Sequence, residues 1–510
     1  MTNLLTTLVL RAEPLSLVTL PGCLAGMARG KVRDFPALRP HQRAAWHMFL
    51  TQLAVLALER GGLAELPKDE AVWAGLLREL APEWGDDPWT LVVPDRTRPA
   101  FLQPPDPGGL AWQPVPTPDA LDLLITSKNH DLKGRVAEGG QAEDWVFALV
   151  SLQTSEGYGG AGNQGIARMN GGSSSRPSLG LAPRAGLRGG VDPSARWRRD
   201  VERLLALRTS GEAGGIGPVG GPALLWCLPW PEGRQLALHA LDPLFLEVCR
   251  RVRLRSDGSA ERSTSEKARI DAKAAKGMTG DPWTPVHRVE GKALTLGERD
   301  WDFRLLHDLL FGDEWQVPVL ARPGPDEEAS DLVLVAEALS RGNSKTAGLK
   351  RRVVPLPERT DSFFLSPKAS EAAHELMRDI EAAQKALSFG IAVAVAKGEK
   401  ADRTHFGQDG PARGAFLAAV DARFFPALWR RLAAIEDGTE AEDARAFCKT
   451  LVDLARRELD LALDALPLPA ILGPRARVRA RRAFEGALRR AELTETQHDA
   501  HDQEDAHDHR

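Results

Sequence analysis

A chain of 510 residues exceeds one ordinary domain, and its 43% hydrophobic and 27% charged residues are the proportions of a soluble globular protein. No apolar run reaches the roughly 18 residues that a membrane helix needs. The four scattered cysteines, Cys23, Cys227, Cys249 and Cys448, form no CxxC pair, which argues against a zinc ribbon or disulfide framework and for a reducing, cytoplasmic setting. The formal charge of −4 hides two opposed segments: residues 473–490 hold seven arginines against one glutamate, and residues 492–510 hold seven acids against one arginine.

The opening residues read as a first strand of the fold rather than a signal peptide, because no basic region or small-residue cleavage site accompanies the apolar patch. Residues 1–40 read as short strands and turns. Trp46, Phe49, Leu50, Leu53, Ala54 and Ala57 then recur at helical spacing, with Pro40 suited to the first turn and Gly61-Gly62 to the end. A short helix is expected over Glu70–Leu80, a proline-rich loop over 84–118, and a helix over Ala142–Gln153. Two glycine-rich segments, 157–165 and 171–175, lie among Arg168, Arg176, Arg184 and Arg188, and read as functional loop in preference to linker. Residues 222–250 and 283–290 read as strands, with a basic, polar stretch between them. An element at Leu332–Leu339 leads into a loop at 341–348 and the basic triplet Lys350-Arg351-Arg352. From about Ser366 the chain turns helical. Leu376, Ile380, Leu387 and Ile391 form one stripe and Leu451, Ala455, Leu459 and Leu466 another; with Phe416–Leu432 and Val478–Leu488 they predict a four-helix bundle, in which Pro426 kinks the second helix or starts a new one. The fold class is therefore α+β: an irregular mixed α/β domain over 1–365, a four-helix bundle over 366–491, and a disordered acidic, His-rich tail over 492–510.

Enzymatic patterns are incomplete. Gly342–Thr346 lacks the earlier glycine and the Gly-Lys pair of a phosphate-binding loop. The 157–165 glycines do not follow a clear strand with an acidic residue about 20 positions on. His130-Asp131 and His307-Asp308 are the dyad of HD metal phosphohydrolases without evident flanking ligands. The basic loops are more coherent: glycine lets a backbone approach a phosphate or groove closely, and neighbouring Asn, Lys and Arg supply donors.

Taken together, these features resemble the CasA family, the large subunit of the type I-E CRISPR surveillance complex Cascade. The resemblance spans nearly the whole chain: Asn3-Leu4-Leu5, Arg98–Gln103, the helix led by Thr117-Pro118, Gly157–Gly160, Gly186–Gly190, Gly280–Pro285, the 341–352 segment and the C-terminal helices. It implies a non-enzymatic subunit that reads a short protospacer-adjacent motif from the minor groove of duplex DNA, begins strand separation for guide RNA pairing, and recruits a helicase–nuclease. By the same resemblance, a glycine loop falls on Gly157, Tyr158, Gly159, Gly160, Gly162 and Asn163; from the residues themselves, Tyr158 is expected to pack inward and anchor the base of that loop. A lysine finger falls within 267–276, with Lys273 or Lys276 preferred, and a strand-splitting wedge on Asn343, Ser344 and Lys345. Ser127, Lys128, Asn129, His130 and Lys133 fall on the element that contacts guide RNA and the neighbouring subunit. Some family members carry a central cysteine cluster; here only Cys249 remains, so no metal or other cofactor is expected. The implied partners are guide RNA, double-stranded target DNA, the other Cascade subunits and the helicase–nuclease. An HD-type nuclease and a purely structural scaffold are the alternatives.

Overall fold

The computed structural model describes residues 2–121, 140–170, 172–186, 190–212, 214–342, 345–357 and 365–494. They divide into two compact units, one formed by residues up to 301 together with 313–356, the other by 302–312 and the chain from 357 onward. The fold is mixed α and β with a helical C-terminal region, as the patterning predicts. Among the described residues no helix is long and apolar enough to cross a membrane.

In the first unit the helices are α1 (Leu20–Ala28), α2 (Arg43–Arg60), α3 (Glu70–Glu79), α4 (Ala142–Ser155) and α5 (Pro193–Thr209). Helix α1 corrects the reading of residues 1–40 as strands and turns. Its Pro21 and Gly22 look like breakers, but proline fits a first turn, where the Thr19 hydroxyl accepts from the Gly22 amide. Gly26 allows close packing, since a Cβ there would lie 2.6 Å from a Leu15 methyl and displace that side chain.

Helix α2 packs against α3, α4 and α5. It is buried on every side rather than amphipathic, and its polar residues are satisfied internally. His47 Nε2 meets Asp200 at 2.8 Å, the Thr51 hydroxyl donates to the His47 carbonyl, and Gln52 donates to the carbonyls of Leu244 and Phe245. Burial lowers the His47 pKa and so keeps the ring neutral.

Seven strands build the two larger sheets: β1 (Gln113–Val115), β2 (Ser178–Ala185), β3 (Gly190–Val191), β4 (Arg251–Leu254), β5 (Ala260–Ser263), β6 (Leu332–Gly342) and β7 (Lys345–Pro355). One sheet has the order β7-β6-β2-β3 and the other β1-β5-β4, antiparallel throughout. Three expectations change here. The basic, polar stretch after residue 250, where the sequence predicts no element, contains the β4–β5 hairpin. The segment after 341 returns as β7, paired with β6 from Gly342↔Lys345 to Val333↔Pro355. The expected strands at 222–250 and 283–290 shrink to Leu236–Ala237 and Val286–His287. Apolar content there reports burial, while long polar side chains replace the strand ladder: Arg269 donates to the carbonyls of Pro229 and Leu228, and Gln52 and Arg168 to that of Phe245.

The second unit contains α6 (Phe303–Phe311), α7 (Pro367–Val395), α8 (Gly410–Asp421), α9 (Phe424–Asp437), α10 (Glu440–Ala465) and α11 (Gly473–Arg490). The second of the four expected bundle helices is thus two helices, and Pro426 sits in the first turn of the second, where its missing N–H costs nothing. Helix α6 joins this unit from a distant part of the chain; the Phe303 amide donates to Asp421, and Phe303 packs against Phe424. Helices α7, α10 and α11 meet at Gly390, whose absent Cβ would stand 3.1 Å from both Leu459 and Phe484.

Candidate nucleic-acid interface

The glycine loop leaves the end of α4 and is closed at its base by the Ile166 amide donating to the Glu156 carbonyl at 3.0 Å. Inside it, Tyr158 N–H donates to Gly172 O at 2.6 Å, Gly159 N–H to Asn163 O at 2.9 Å, and Asn163 N–H to Gly160 O at 2.9 Å. Its glycines serve two different needs. Gly160 and Gly162 have φ of +110° and +74°, which side-chain-bearing residues rarely adopt. Gly157 and Gly165 permit close approach instead: a Cβ on Gly157 would lie 2.4 Å from Gly172 O, and one on Gly165 2.5 Å from Tyr158 N. A Cβ on Gly160 would meet nothing within 4 Å, so that backbone faces open space.

Tyr158 does not pack inward; it is 38% exposed. The space below the loop belongs to the 172–174 backbone and to Arg250, whose Nη2 donates to Gly157 O at 2.9 Å. Tyr158, Gly159 and Ala161 form the exposed crest, and Asn163 is half-buried beside it.

The structure brings the loop against the segment that follows β5. Ser265 N–H donates to Gly162 O at 2.9 Å, and Gln164 Nε2 donates to the carbonyls of Ser265 and Glu266 at 3.1 and 3.2 Å. A Cβ on Gly162 would sit 2.5 Å from Thr264 Cβ. Lys267 follows directly, is exposed, and has no hydrogen bond or ion pair among the described residues. Lys273 is likewise exposed and unpaired among them, whereas Lys276, at φ +52°, donates from Nζ to Glu290 O at 2.7 Å. Gln164 and Thr264 were missed from the sequence, where nothing marks them as the seat of a loop 100 residues away.

The hairpin of β6 and β7 turns between Gly342 and Lys345, so Lys345 opens a strand, and Asn343 and Ser344 lie outside the described residues. No hydrogen bond or ion pair joins this hairpin to the glycine loop among the described residues. The triplet on β7 is occupied: Lys350 pairs with Asp300 at 2.6 Å, Arg351 with Glu337 at 2.8 Å, and Arg352 donates to Trp301 O at 2.8 Å. Ser127, Lys128, Asn129, His130 and Lys133 all lie outside the described residues.

The described arginines around the glycine segments are structural. Arg168 is 1% exposed, spans the carbonyls of Pro243 and Phe245 and lies over the Phe245 ring. Arg176 grips Asp281 through Nε and Nη2 at 2.6 and 2.8 Å and reaches Gln52 through Nη1. Next to them burial pushes the Glu247 carboxyl up to about 7, while that carboxyl accepts the Ala167 amide. Arg184 donates to Leu356 O, and Arg188 lies outside the described residues. His307 Nδ1 stands 3.2 Å from its neighbour Asp308, and among the described residues no three His, Cys, Asp or Glu side chains gather as a metal site.

The two units and this loop system define a protein of the CRISPR-associated CasA (Cse1) fold. The chain is similar to Thermus thermophilus CasA (Cse1), with a TM-score of 0.64 and 16% identity over 96% of this chain and 99% of that one. It is also similar to Cse1 from Acidimicrobium ferrooxidans (TM-score 0.60, 17% identity, 96% and 98% covered) and from Thermobifida fusca (0.62, 15%, 97% and 99%). At the level of sequence, no protein-family profile and no curated protein matches the chain.

Proposed function

We propose that this chain is the non-catalytic large subunit of a type I-E RNA-guided surveillance complex. In this role it reads a protospacer-adjacent motif in duplex DNA, begins strand separation and recruits the helicase–nuclease that cuts. The observation that supports this best is the glycine loop: on a CasA-type fold covering 96% of the chain, Gly159 stands at an exposed crest and Gly160, half-buried beside it, has only open space where a side chain would be. A minor groove is narrow and is read by small, donor-rich elements, which such a crest suits. Guide pairing then carries the long sequence recognition while the protein reads only the flanking motif.

Within this reading Lys273 is the better finger than Lys276, because Lys276 is already spent on Glu290 O, and Lys267, next to the Ser265–Glu266 segment that bonds to the glycine loop, adds a second exposed cation. The wedge falls on Asn343, Ser344 and Lys345, and the 126–133 segment meets guide RNA and the adjacent subunit. The subunit acts in the cytoplasm.

The test is co-purification of the chain with its neighbouring gene products. An RNA of defined length should come along, and the complex should prefer targets with the correct flanking motif at fixed salt. Replacing Lys267 and Lys273 with alanine should lower the salt slope of binding by about one per lysine. An RNA-free assembly, or DNA cleavage by the chain alone with Mn²⁺, would overturn the proposal.

A further inference from the structure

Helix α11 carries its buried side chains, Ala476, Ala480, Phe484 and Leu488, on one face. On the opposite face Arg475, Arg482 and Arg489 recur every seventh residue, which is two helical turns. They form a nearly straight stripe with a repeat of about 10 Å.

The stripe stays positive after the ion pairs around it are counted. Toward α10, Arg477 and Arg481 are each matched by one carboxylate, of Asp464 and Asp460. Arg475 and Arg479 share the single carboxylate of Glu399. Arg482, Arg489 and Arg490 are exposed, and their side chains have no hydrogen bond or ion pair among the described residues. Two acids count the other way: Glu492, and one of the two carboxylates, Asp453 and Glu485, that share Arg456. They do not cancel the unpaired arginines.

Residues 495–510 continue directly from the end of this helix, outside the described residues, and hold six acids against one arginine. Four of those acids, Asp499, Asp502, Asp505 and Asp508, recur every third residue. Three residues of extended chain span about 10 Å. The aspartate repeat of the tail and the arginine repeat of the helix therefore have the same length.

We propose that the tail turns back along α11 and sets Asp499, Asp502 and Asp505 against Arg489, Arg482 and Arg475. An exposed ion pair contributes little alone, but three on one tether act together at a high effective concentration. The chain's own end thereby covers a cationic face that would otherwise attract any polyanion. This contact is separate from the proposed DNA-reading loops and does not depend on that reading.

The first experiment is limited digestion of the full chain with an aspartate-specific endoprotease, with loss of the tail followed by mass spectrometry. At low salt Arg482→Gln with Arg489→Gln, both at exposed positions, should lose the tail about fivefold faster than wild type. In about 0.5 M salt, where exposed charges are screened, the two rates should converge. The second experiment is heparin binding by the full chain at low salt. Asp499→Asn with Asp502→Asn and Asp505→Asn should raise heparin affinity about fivefold, and that gain should vanish when Arg482 and Arg489 are also glutamine. Equal digestion rates at low salt, or a heparin gain that survives the arginine substitutions in protein with wild-type circular dichroism, would overturn the proposal. The second result would place the tail on another surface.

Discussion

In the first unit Arg168, Arg176, Arg251, Arg253 and Arg269 are each 2% exposed or less. Each makes hydrogen bonds to backbone carbonyls, or a fork to a buried carboxylate, that regular secondary structure would otherwise supply. In helix α11 of the second unit, Arg475, Arg477 and Arg481 are instead half in solvent, beside Glu399, Asp464 and Asp460. The same side chain ties irregular loops together in one region and solvates a helix face in the other. Its abundance is therefore a poor guide to a nucleic-acid surface. Desolvation explains the difference in value: a buried guanidinium left without its partner is costly, whereas an exposed pair exchanges one set of contacts for water.

The largest effect expected from that contrast comes from Asp281→Ala, which strands Arg176 in the interior. Loss of one partner of such a pair costs about 3–5 kcal/mol, measured as a shift in the denaturant midpoint. A midpoint within error of wild type would show that the buried pair is not a structural tie.

Glu247 gives a pH-dependent version. Its folded pKa near 7 stands above the value of 4.5 expected in the unfolded chain. Its contribution is therefore complete below about 4.5 and is lost as pH rises through about 7. Against Glu247→Gln, which stays neutral, wild type should lose about 3 kcal/mol over that window. Parallel stability curves for the two proteins would place the carboxyl outside the low-dielectric interior.

The glycine loop separates packing from conformation on a smaller scale. Gly157→Ala forces a methyl into the Gly172 carbonyl and should deform the whole crest, weakening motif-dependent target binding by about 1–3 kcal/mol. Gly160→Ala holds alanine at φ +110°, a strain of about 1–3 kcal/mol in stability, and puts its methyl in the open space offered to the groove, so motif binding should weaken as well. If Gly160→Ala costs motif binding while leaving stability intact, contact with the groove and not backbone strain governs that position. If Gly157→Ala spares motif binding, the crest is not the reader.

At the other end of the scale, Arg475→Gln with Arg477→Gln and Arg481→Gln should leave the unfolding midpoint and target affinity unchanged. A drop in affinity with an unchanged midpoint would turn the α11 face from a solvated surface into a contact surface.

Periodicity and turn chemistry are local, and what they govern was legible in the sequence: helix α2, the helical character after residue 366, an interruption near Pro426 as a kink or a new helix, and the glycine loop as a loop. The two roles of its glycines were not legible, because Gly157 depends on a carbonyl 15 residues on and Gly162 on Thr264, 102 residues away. Nor was the exposure of Tyr158, since Arg250 takes the space beneath the loop. Helix α1 was hidden because Pro21 and Gly26 carry the signature of a turn until Leu15 and the Thr19 cap are in place. The strand reading of 222–250 failed for the opposite reason: hydrophobicity signals burial whatever the backbone does, and only the tertiary structure revealed that Gln52, Arg168 and Arg269 satisfy those carbonyls from elsewhere in the chain. Sequence by itself determined helices α2, α3 and α4, the helical character after residue 366 and the glycine segment as a loop; it did not reveal α1, α5 or α6. Which cations remain free to meet a phosphate was decided by packing, because pairing distances depend on residues far apart in the chain.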